Sequence, residues 1–401
     1  MNYFDYLALS PAAQRMPLTW RLPGTTAEGK TVLYNGAADS VGEAARSLNG
    51  QHALLLMGRH AYRSSDGAVI TQSLTRSGVT FDVFCNIPPE PHFEAVTALK
   101  EATNGKAYDI VIGVGGGSVL DMAKLAAHDG DGKLVDKIHS GDFSGKALPL
   151  ILLPTTSGTG SEVSPYAVLT LNGKKVFFSS PRLLPAVAIV DPLLTVSMPA
   201  RTTVATAFDA MTHAIEGASG RMIPYTQALA VESTAQILAY LPQAASNGED
   251  LTARYYLAMA SVMGMMSYAM GGGLYAHSVS YILTLEKGLP HGAGCGFALP
   301  FTMALNEPYI TPLLDSLAAR CLGASGGMKA RREVISKIHS LYTALQMPAS
   351  LRELGYANSD IDALVNKLMT QYWRSNNPRT ITAADAKELF TAMLNGEICY
   401  F

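Results

Sequence analysis

Short apolar runs and amphipathic segments alternate along the first half of the chain. ALLLMG (53–58), TFDVF (80–84), YDIVIGVGGG (108–117), LPLILLPTT (148–156) and PAVAIVDP (185–192) are each bounded by Gly, Pro or a turn and read as buried strands. Between them, segments 40–48, 67–77, 92–103 and 118–128 carry helical patterns. Strand and helix in repetition predict a parallel sheet covered on both faces. Beyond about residue 197 the strands stop. Segments 203–219, 224–246, 250–270, 274–286, 296–305, 311–323, 329–345, 359–373 and 383–395 suit helices, with Ala, Leu and Met abundant. The pattern predicts an α/β nucleotide-type domain over 1–196 and an all-α domain over 197–401. The seam falls near DPLLTVSMPA (191–200), where two prolines interrupt. No internal repeat or low-complexity segment breaks this division.

Composition narrows the class. Hydrophobic residues make up 48% of the 401 and charged residues 15%, which suits a compact globular protein with a large core. A net charge of −2 without a basic block argues against nucleic acid or an anionic membrane as partner. No apolar run approaches the roughly 20 residues a spanning helix needs. MNYFDYLALSPAAQRMPLTW has no basic region followed by an apolar core, so no signal peptide is read there. Cys85, Cys295, Cys321 and Cys399 lie far apart and form no CxxC pair. They read as free thiols of a cytoplasmic protein.

Two turns carry candidate chemistry in the first half. GVGGGSVLDMAK (113–124) follows a strand and opens a helix, so glycine-freed amides at a helix N-terminus could cradle a phosphate. Ser118 stands where a G-x-G-x-x-G fingerprint needs its third glycine, and Ser118 and Asp121 also have capping-box spacing. PTTSGTGSE (154–162) again follows a strand and offers the hydroxyls of Thr155, Thr156 and Thr159. Two such turns at the ends of neighbouring strands favour a dinucleotide site.

In FDAMTHAIEG (208–217), Asp209 and His213 stand four apart and so share one helix face. A capping box from Thr206 to Asp209, with His213 a hydrogen-bonded core residue, is the competing reading. His277 and His291 tip the balance towards a metal. Fourteen residues in one straight helix span about 21 Å, whereas two ligands of one ion each lie about 2 Å from it. EKGLPH (286–291) supplies a Gly and a Pro to end the first helix and turn the chain. One Asp and three His suit Fe(II) or Zn(II) better than Mg or Ca.

Taken together, GGGSVLDMAK (115–124), PTTSGTGSEVSP (154–165), DAMTHAIEG (209–217) and the spacing of His277 and His291 resemble the iron-containing, or metal-dependent, alcohol dehydrogenase family. The resemblance spans nearly the whole chain. It implies a dinucleotide-binding domain, a helical domain, a metal in the cleft between them, and a homodimer. It makes Asp209, His213, His277 and His291 the metal ligands. Gly115, Gly116, Gly117 and Ser118 would line the pyrophosphate, and Asp121, Thr155, Thr156 and Thr159 the ribose and nicotinamide end. Lys175 falls where the family has a lysine near the cofactor; a solvated lysine in a turn is the alternative.

Two positions depart from the family pattern. Tyr281 stands where many members have a histidine proposed to carry the proton out, and a phenol with a pKa near 10 is a poorer shuttle than imidazole. Gly58 followed by Arg59 stands where NAD-preferring members place an acidic residue, which favours NADP without excluding NAD. The implied reaction is hydride transfer between an alcohol and nicotinamide, with the metal polarising the substrate oxygen. Cys295 is read as packing. The overall look of the chain, segment 276–301 included, resembles a branch that includes the bacterial 3-deoxy-D-manno-octulosonate (Kdo) 8-oxidising enzyme, which implies a lipopolysaccharide sugar acid as substrate. A broad-specificity dehydrogenase of primary alcohols or aldehydes is the competing expectation. A dehydroquinate-synthase-like lyase using NAD transiently and a purely structural metal are the rivals from other classes.

Overall fold

The computed structural model describes residues 16–21 and 28–401; most of the N-terminal stretch read for a signal peptide lies outside them. The chain divides into two compact units, Met1–Ser197 and Met198–Phe401.

In the first unit the strands are β1 Met16–Arg21, β2 Glu28–Leu33, β3 His52–Met57, β4 Thr80–Phe84, β5 Ile110–Gly115, β6 Leu150–Pro154, β7 Tyr166–Leu171, β8 Lys174–Ser179 and β9 Val187–Val190. The helices are α1 Val41–Ser47, α2 Arg59–Arg63, α3 Ser65–Arg76, α4 Phe93–Thr103, α5 Gly117–Ala127 and α6 Leu134–Ser140. Seven strands form one sheet in the order β1-β2-β9-β6-β5-β3-β4, parallel except for β1 at its edge. Strands β5, β6 and β9 are buried at every position, as strands covered on both faces must be. From β3 the chain first adds β4 on one side and then β5, β6 and β9 on the other. The order therefore reverses between β3 and β5, the switch point at which open α/β sheets bind ligands beyond the carboxyl ends of their strands.

The apolar runs did not reveal β1, β2 or the β7–β8 hairpin. The hairpin has a local signal, Asn172-Gly173, both at positive φ (50° and 71°), which suits the tight turn that twisted strands prefer. It places Lys175 in a strand rather than in a solvated turn, with its side chain only 9% exposed.

A buried ionic cluster ties this hairpin to α5. Lys124 Nζ donates to the Ser164 carbonyl and hydroxyl, each at 3.0 Å, and to the Tyr166 carbonyl at 2.5 Å. Asp121 accepts from the Ser161 hydroxyl at 2.6 Å and the Val168 N–H at 2.9 Å. Neither Ser118 nor Asp121 caps the helix: the N-cap is Gly116 and makes no side-chain cap bond. Buried Glu162 has an oxygen, Oε2, without a hydrogen-bond partner among the described residues.

The second unit is helical: α7 Ala200–Gly220, α8 Pro224–Ser246, α9 Leu251–Gly271, α10 Tyr275–Lys287, α11 His291–Asn306, α12 Thr311–Leu322, α13 Met328–Ala344, α14 Ile361–Gln371 and α15 Ala383–Asn395. Helix α7 is buried on almost every side between residues 203 and 219, so it forms the centre of the unit. Its neighbours approach to backbone contact. A Cβ on Gly217 would lie 2.4 Å from the Ser267 carbonyl carbon, and one on Gly264 2.5 Å from the Ala210 oxygen. Helix α11 begins at His291, earlier than the expected 296, because Pro290 sets its entry and its glycine-rich first turn packs onto α7. A Cβ on Gly292 would lie 2.3 Å from the Ala205 oxygen. Among the described residues no single helix is long and apolar enough to cross a membrane.

The cluster at Glu162 makes the stability of the first unit depend on pH. Burial raises its carboxyl from 4.5 to about 7 and depresses Lys124 to about 8. Glu162 binds its proton more tightly folded than unfolded, so the stability it contributes is full below 4.5 and is lost as pH rises through about 7. Glu162→Gln removes this loss. Denaturant unfolding should show wild type weakening relative to the variant across that window by an amount on the order of 3 kcal/mol at most; a difference independent of pH would refute the assignment.

Candidate functional site

Three helices of the second unit bring their polar side chains to one place. Helix α7 supplies Asp209, His213 and Glu216, α10 supplies His277, and α11 supplies His291 and Cys295. Asp209 Oδ1 lies 3.7 Å from His291 Nε2 and 3.9 Å from His213 Nε2. The His213 and His277 rings are 4.9 Å apart, and those of His277 and His291 5.5 Å. Asp209, His277, His291 and Cys295 each offer a donor atom within 4.8 Å of the other three; His213 stands beside this group. Thr206 and Asp209 are both inside α7, where the Thr206 hydroxyl bonds back to the Thr202 carbonyl, so they form no capping box.

Neighbouring groups aim two of these imidazoles. The Glu216 carboxylate accepts the Leu274 N–H at 2.7 Å, the Ala276 N–H at 2.6 Å and His277 Nδ1–H at 2.5 Å. His277 Nε2 is thereby left facing the other donors, buried and without a hydrogen-bond partner among the described residues, as is Asp209 Oδ1. The Ser280 hydroxyl donates to the His291 carbonyl at 2.7 Å and accepts from His291 Nδ1 at 3.0 Å. A carboxylate or hydroxyl behind each imidazole is the usual support of a metal-binding histidine. Sequence reasoning missed both Glu216 and Ser280; the one available signal was a glutamate in an otherwise apolar run, three residues after His213.

The electrostatics suit a cation. Burial raises the Asp209 carboxyl, against the opposing pull of His291. Burial and then the neighbouring His213 hold His277 well below its ordinary range. Burial also pushes the Cys295 thiol well up, with the Asp209 charge adding to it. Glu216 is raised to about 7 by burial despite its two backbone donors. Buried carboxylates with neutral imidazoles are a donor set that a divalent ion would stabilise. Tyr281 stacks on His291 with ring centroids 5.3 Å apart, and burial pushes its phenol up to about 12, which makes it a poorer proton donor, and so a poorer shuttle, still.

The candidate nucleotide residues lie in the first unit, most of them at the carboxyl ends of adjacent strands. Gly58 and Arg59 follow β3, Gly115–Ser118 join β5 to α5, and Thr155, Thr156 and Thr159 follow β6. The turns interlock. Thr155 N–H donates to the Gly115 carbonyl at 3.0 Å, and a Cβ on Gly117 would lie 2.8 Å from Thr159 Cγ2. The Ser118 hydroxyl accepts from the Glu90 N–H at 3.1 Å, and the Glu90 carboxylate pairs with Lys175. Burial lowers Lys175 to about 8. The Asp121 oxygens, by contrast, are used inside the protein. Arg59 is exposed, with a guanidinium nitrogen 3.5 Å from the side-chain oxygen Oδ1 of Asn86, and the space around Gly58 is open.

Sequence comparison decides which proteins share this arrangement. The profile of the iron-containing alcohol dehydrogenase family matches residues 29–192, and that of the Fe-containing alcohol dehydrogenase C-terminal region matches residues 203–394. The chain belongs to the iron-containing alcohol dehydrogenase family. Long-chain-alcohol dehydrogenase 1 of Geobacillus thermodenitrificans is 32% identical over 90% of this chain and 94% of its own length. The 1,3-propanediol dehydrogenase of Citrobacter freundii is 31% identical over 88% and 94%. Among solved structures, an alcohol dehydrogenase from Oenococcus oeni superposes with a TM-score of 0.84 at 26% identity, covering 95% of this chain and all of that one.

As a member of this family the protein is an oxidoreductase acting on CH–OH groups, and the family implies a metal, typically iron, together with NAD(H). The residues present fit such a metal: two buried donor atoms without hydrogen-bond partners among the described residues lie beside further N, O and S donors. Glu216→Gln keeps the shape but removes the charge behind His277. Chelator competition should show metal affinity reduced by roughly 10- to 100-fold, with helix content unchanged. Unaltered affinity would mean that Glu216 serves α10 alone.

Proposed function

We propose that this dehydrogenase interconverts a primary alcohol and its aldehyde, with Fe(II) or Zn(II) held by Asp209, His213, His277 and His291 and with NAD(H) or NADP(H) as the hydride carrier. The observation that carries this reading is the pair of buried donor atoms, Asp209 Oδ1 and His277 Nε2, that have no hydrogen-bond partner among the described residues and lie within a cluster of further donors. When bound, the metal supplies Lewis-acid polarisation of the substrate oxygen and the nicotinamide supplies a hydride acceptor.

The chain's own residues prepare both sites. Glu216 and Ser280 keep the His277 and His291 protons on Nδ1, so that each Nε2 carries a lone pair turned towards the other donors. Asp209 contributes the negative charge. In the first unit, the Gly115–Ser118 turn presents backbone amides at the start of α5, which suits a pyrophosphate. Thr155, Thr156 and Thr159 offer hydroxyls to the ribose and nicotinamide end, and Asp121 holds their loop through Ser161. Lys175, held by Glu90 next to Ser118, places a cation beside that turn. The Tyr281 ring packs on His291, and its hydroxyl passes protons only as a neutral hydrogen-bonding group.

Arg59, exposed and preceded by Gly58 in place of an acid, supports acceptance of NADP as well as NAD. The substrate proposal is a primary alcohol; the general resemblance of the chain, segment 276–301 included, makes the terminal hydroxyl of Kdo one candidate. The names of the relatives, a long-chain-alcohol and a 1,3-propanediol dehydrogenase, make simple alcohols the other. A cytoplasmic homodimer completes the proposal.

Protein loaded anaerobically with Fe(II) or Zn(II) is mixed with Kdo, short and long primary alcohols and 1,3-propanediol, and the absorbance of reduced nicotinamide is followed. Metal-dependent cofactor reduction by at least one primary alcohol is expected. A folded, metal-loaded protein that reduces neither cofactor with any of them would overturn the proposal. Gly58→Asp, whose side chain finds open space, should depress NADP use relative to NAD by roughly tenfold or more, the effect of about 1.4 kcal/mol of charge repulsion. An unchanged ratio would remove Gly58 and Arg59 from the cofactor site.

A further inference from the structure

We propose that the Cys295 thiolate is a direct donor to the same metal ion, joining the nitrogen and oxygen donors and biasing the site towards zinc. The inference rests on the metal-centre reading above and adds a ligand to it. Cys295 follows His291 by four residues on α11, so both side chains leave the same helix face. Its sulfur lies 3.6 Å from His291 Nε2 and shares the 4.8 Å cluster with Asp209 and His277. A ligand sphere of about 2.0–2.3 Å radius places neighbouring donors about 3.3–4 Å apart, the range of the sulfur–imidazole distance.

The backbone holds the thiol there. Glycines on either side, Gly292 and Gly296, press α11 onto α7: their Cβ atoms would lie 2.3 Å from the Ala205 oxygen and 2.6 Å from Phe208 Cβ. Cys295 is fully buried, and its sulfur faces Asp209, Ser280 and His291 rather than an apolar cavity. Side-chain hydrogen bonds with Asp209 and Ser280 keep the thiol on the donor side of α11. Asp209 Oδ1 and His277 Nε2, both buried and without a hydrogen-bond partner among the described residues, supply the independent sign that an ion belongs at this point.

On metal binding the S–H proton leaves to solvent and a sulfur–metal bond forms, with no change in oxidation state. A soft thiolate favours Zn(II) over Fe(II) relative to a donor set of only nitrogen and oxygen.

X-ray absorption on the zinc-loaded full-length protein tests this directly: a sulfur scatterer at about 2.3 Å is expected beside the nitrogen and oxygen shell. The Co(II)-loaded protein should show a sulfur-to-cobalt charge-transfer band in the near ultraviolet. Both signatures should vanish in Cys295→Ser and Cys295→Ala while one metal per chain is retained, and zinc should lose ground to iron(II) in competition. A bound ion with only nitrogen and oxygen neighbours overturns the Cys295 assignment and leaves the metal centre standing. Sulfur signatures that persist in both variants assign them to Cys85, Cys321 or Cys399 and also overturn it. A wild-type protein that binds no metal overturns this inference and the metal centre together.

Discussion

The second unit depends on one buried carboxylate. The first N–H groups of any helix have no partner within it, and Glu216 answers that need for α10 by accepting from Leu274 and Ala276. A negative charge at this end of a helix is also favoured by the aligned peptide dipoles. The same carboxylate fixes the tautomer and direction of His277. The start of a helix and the aim of a candidate ligand are therefore one interaction, and neither can shift without the other. Burial makes this charge costly, as its elevated pKa shows, and three hydrogen bonds offset the cost.

Around that contact, small residues do the positioning. Helix α7 can lie at the centre because Gly217 and Gly264 let α9 reach its backbone, and because Gly292 lets α11 do the same from another direction. A side chain at Gly292 would push α11, with His291 and Cys295, away from α7, with Asp209 and His213. Between α10 and α11, Gly288 adopts a left-handed conformation at φ 65° and Pro290 opens the next helix. That short reversal brings His277 and His291 together although fourteen residues separate them in the chain.

The first unit solves a different problem with the same economy. Parallel strands end at one edge of the sheet, so the turns after β3, β5 and β6 gather there, around the point where the strand order reverses. The Gly115–Ser118 turn is supported from beneath by Asp121, Lys124 and Glu162, an ionic cluster that joins α5 to the hairpin carrying Lys175. The candidate nucleotide loops are thus anchored by charges buried behind them.

The sequence by itself determined the local periodicities, and with them the longer helices, though not the short ones at Arg59–Arg63 and Leu134–Ser140, the central strands and the two-unit division of secondary structure. It also singled out Asp209, His213, His277 and His291, because imidazoles and a carboxylate are conspicuous in apolar helices. It did not disclose the hairpin, although Asn172-Gly173 marked its turn, since strands on a half-exposed ribbon are less apolar than strands in a buried sheet. Nor did it show that Glu216 would hold His277, or that Cys295 would face the donors instead of the core. Those facts join residues 61 positions apart or depend on how closely one helix lies on another. Periodicity is set by neighbours within a turn or two, whereas the partner of a buried polar group is chosen only when the whole core closes around it.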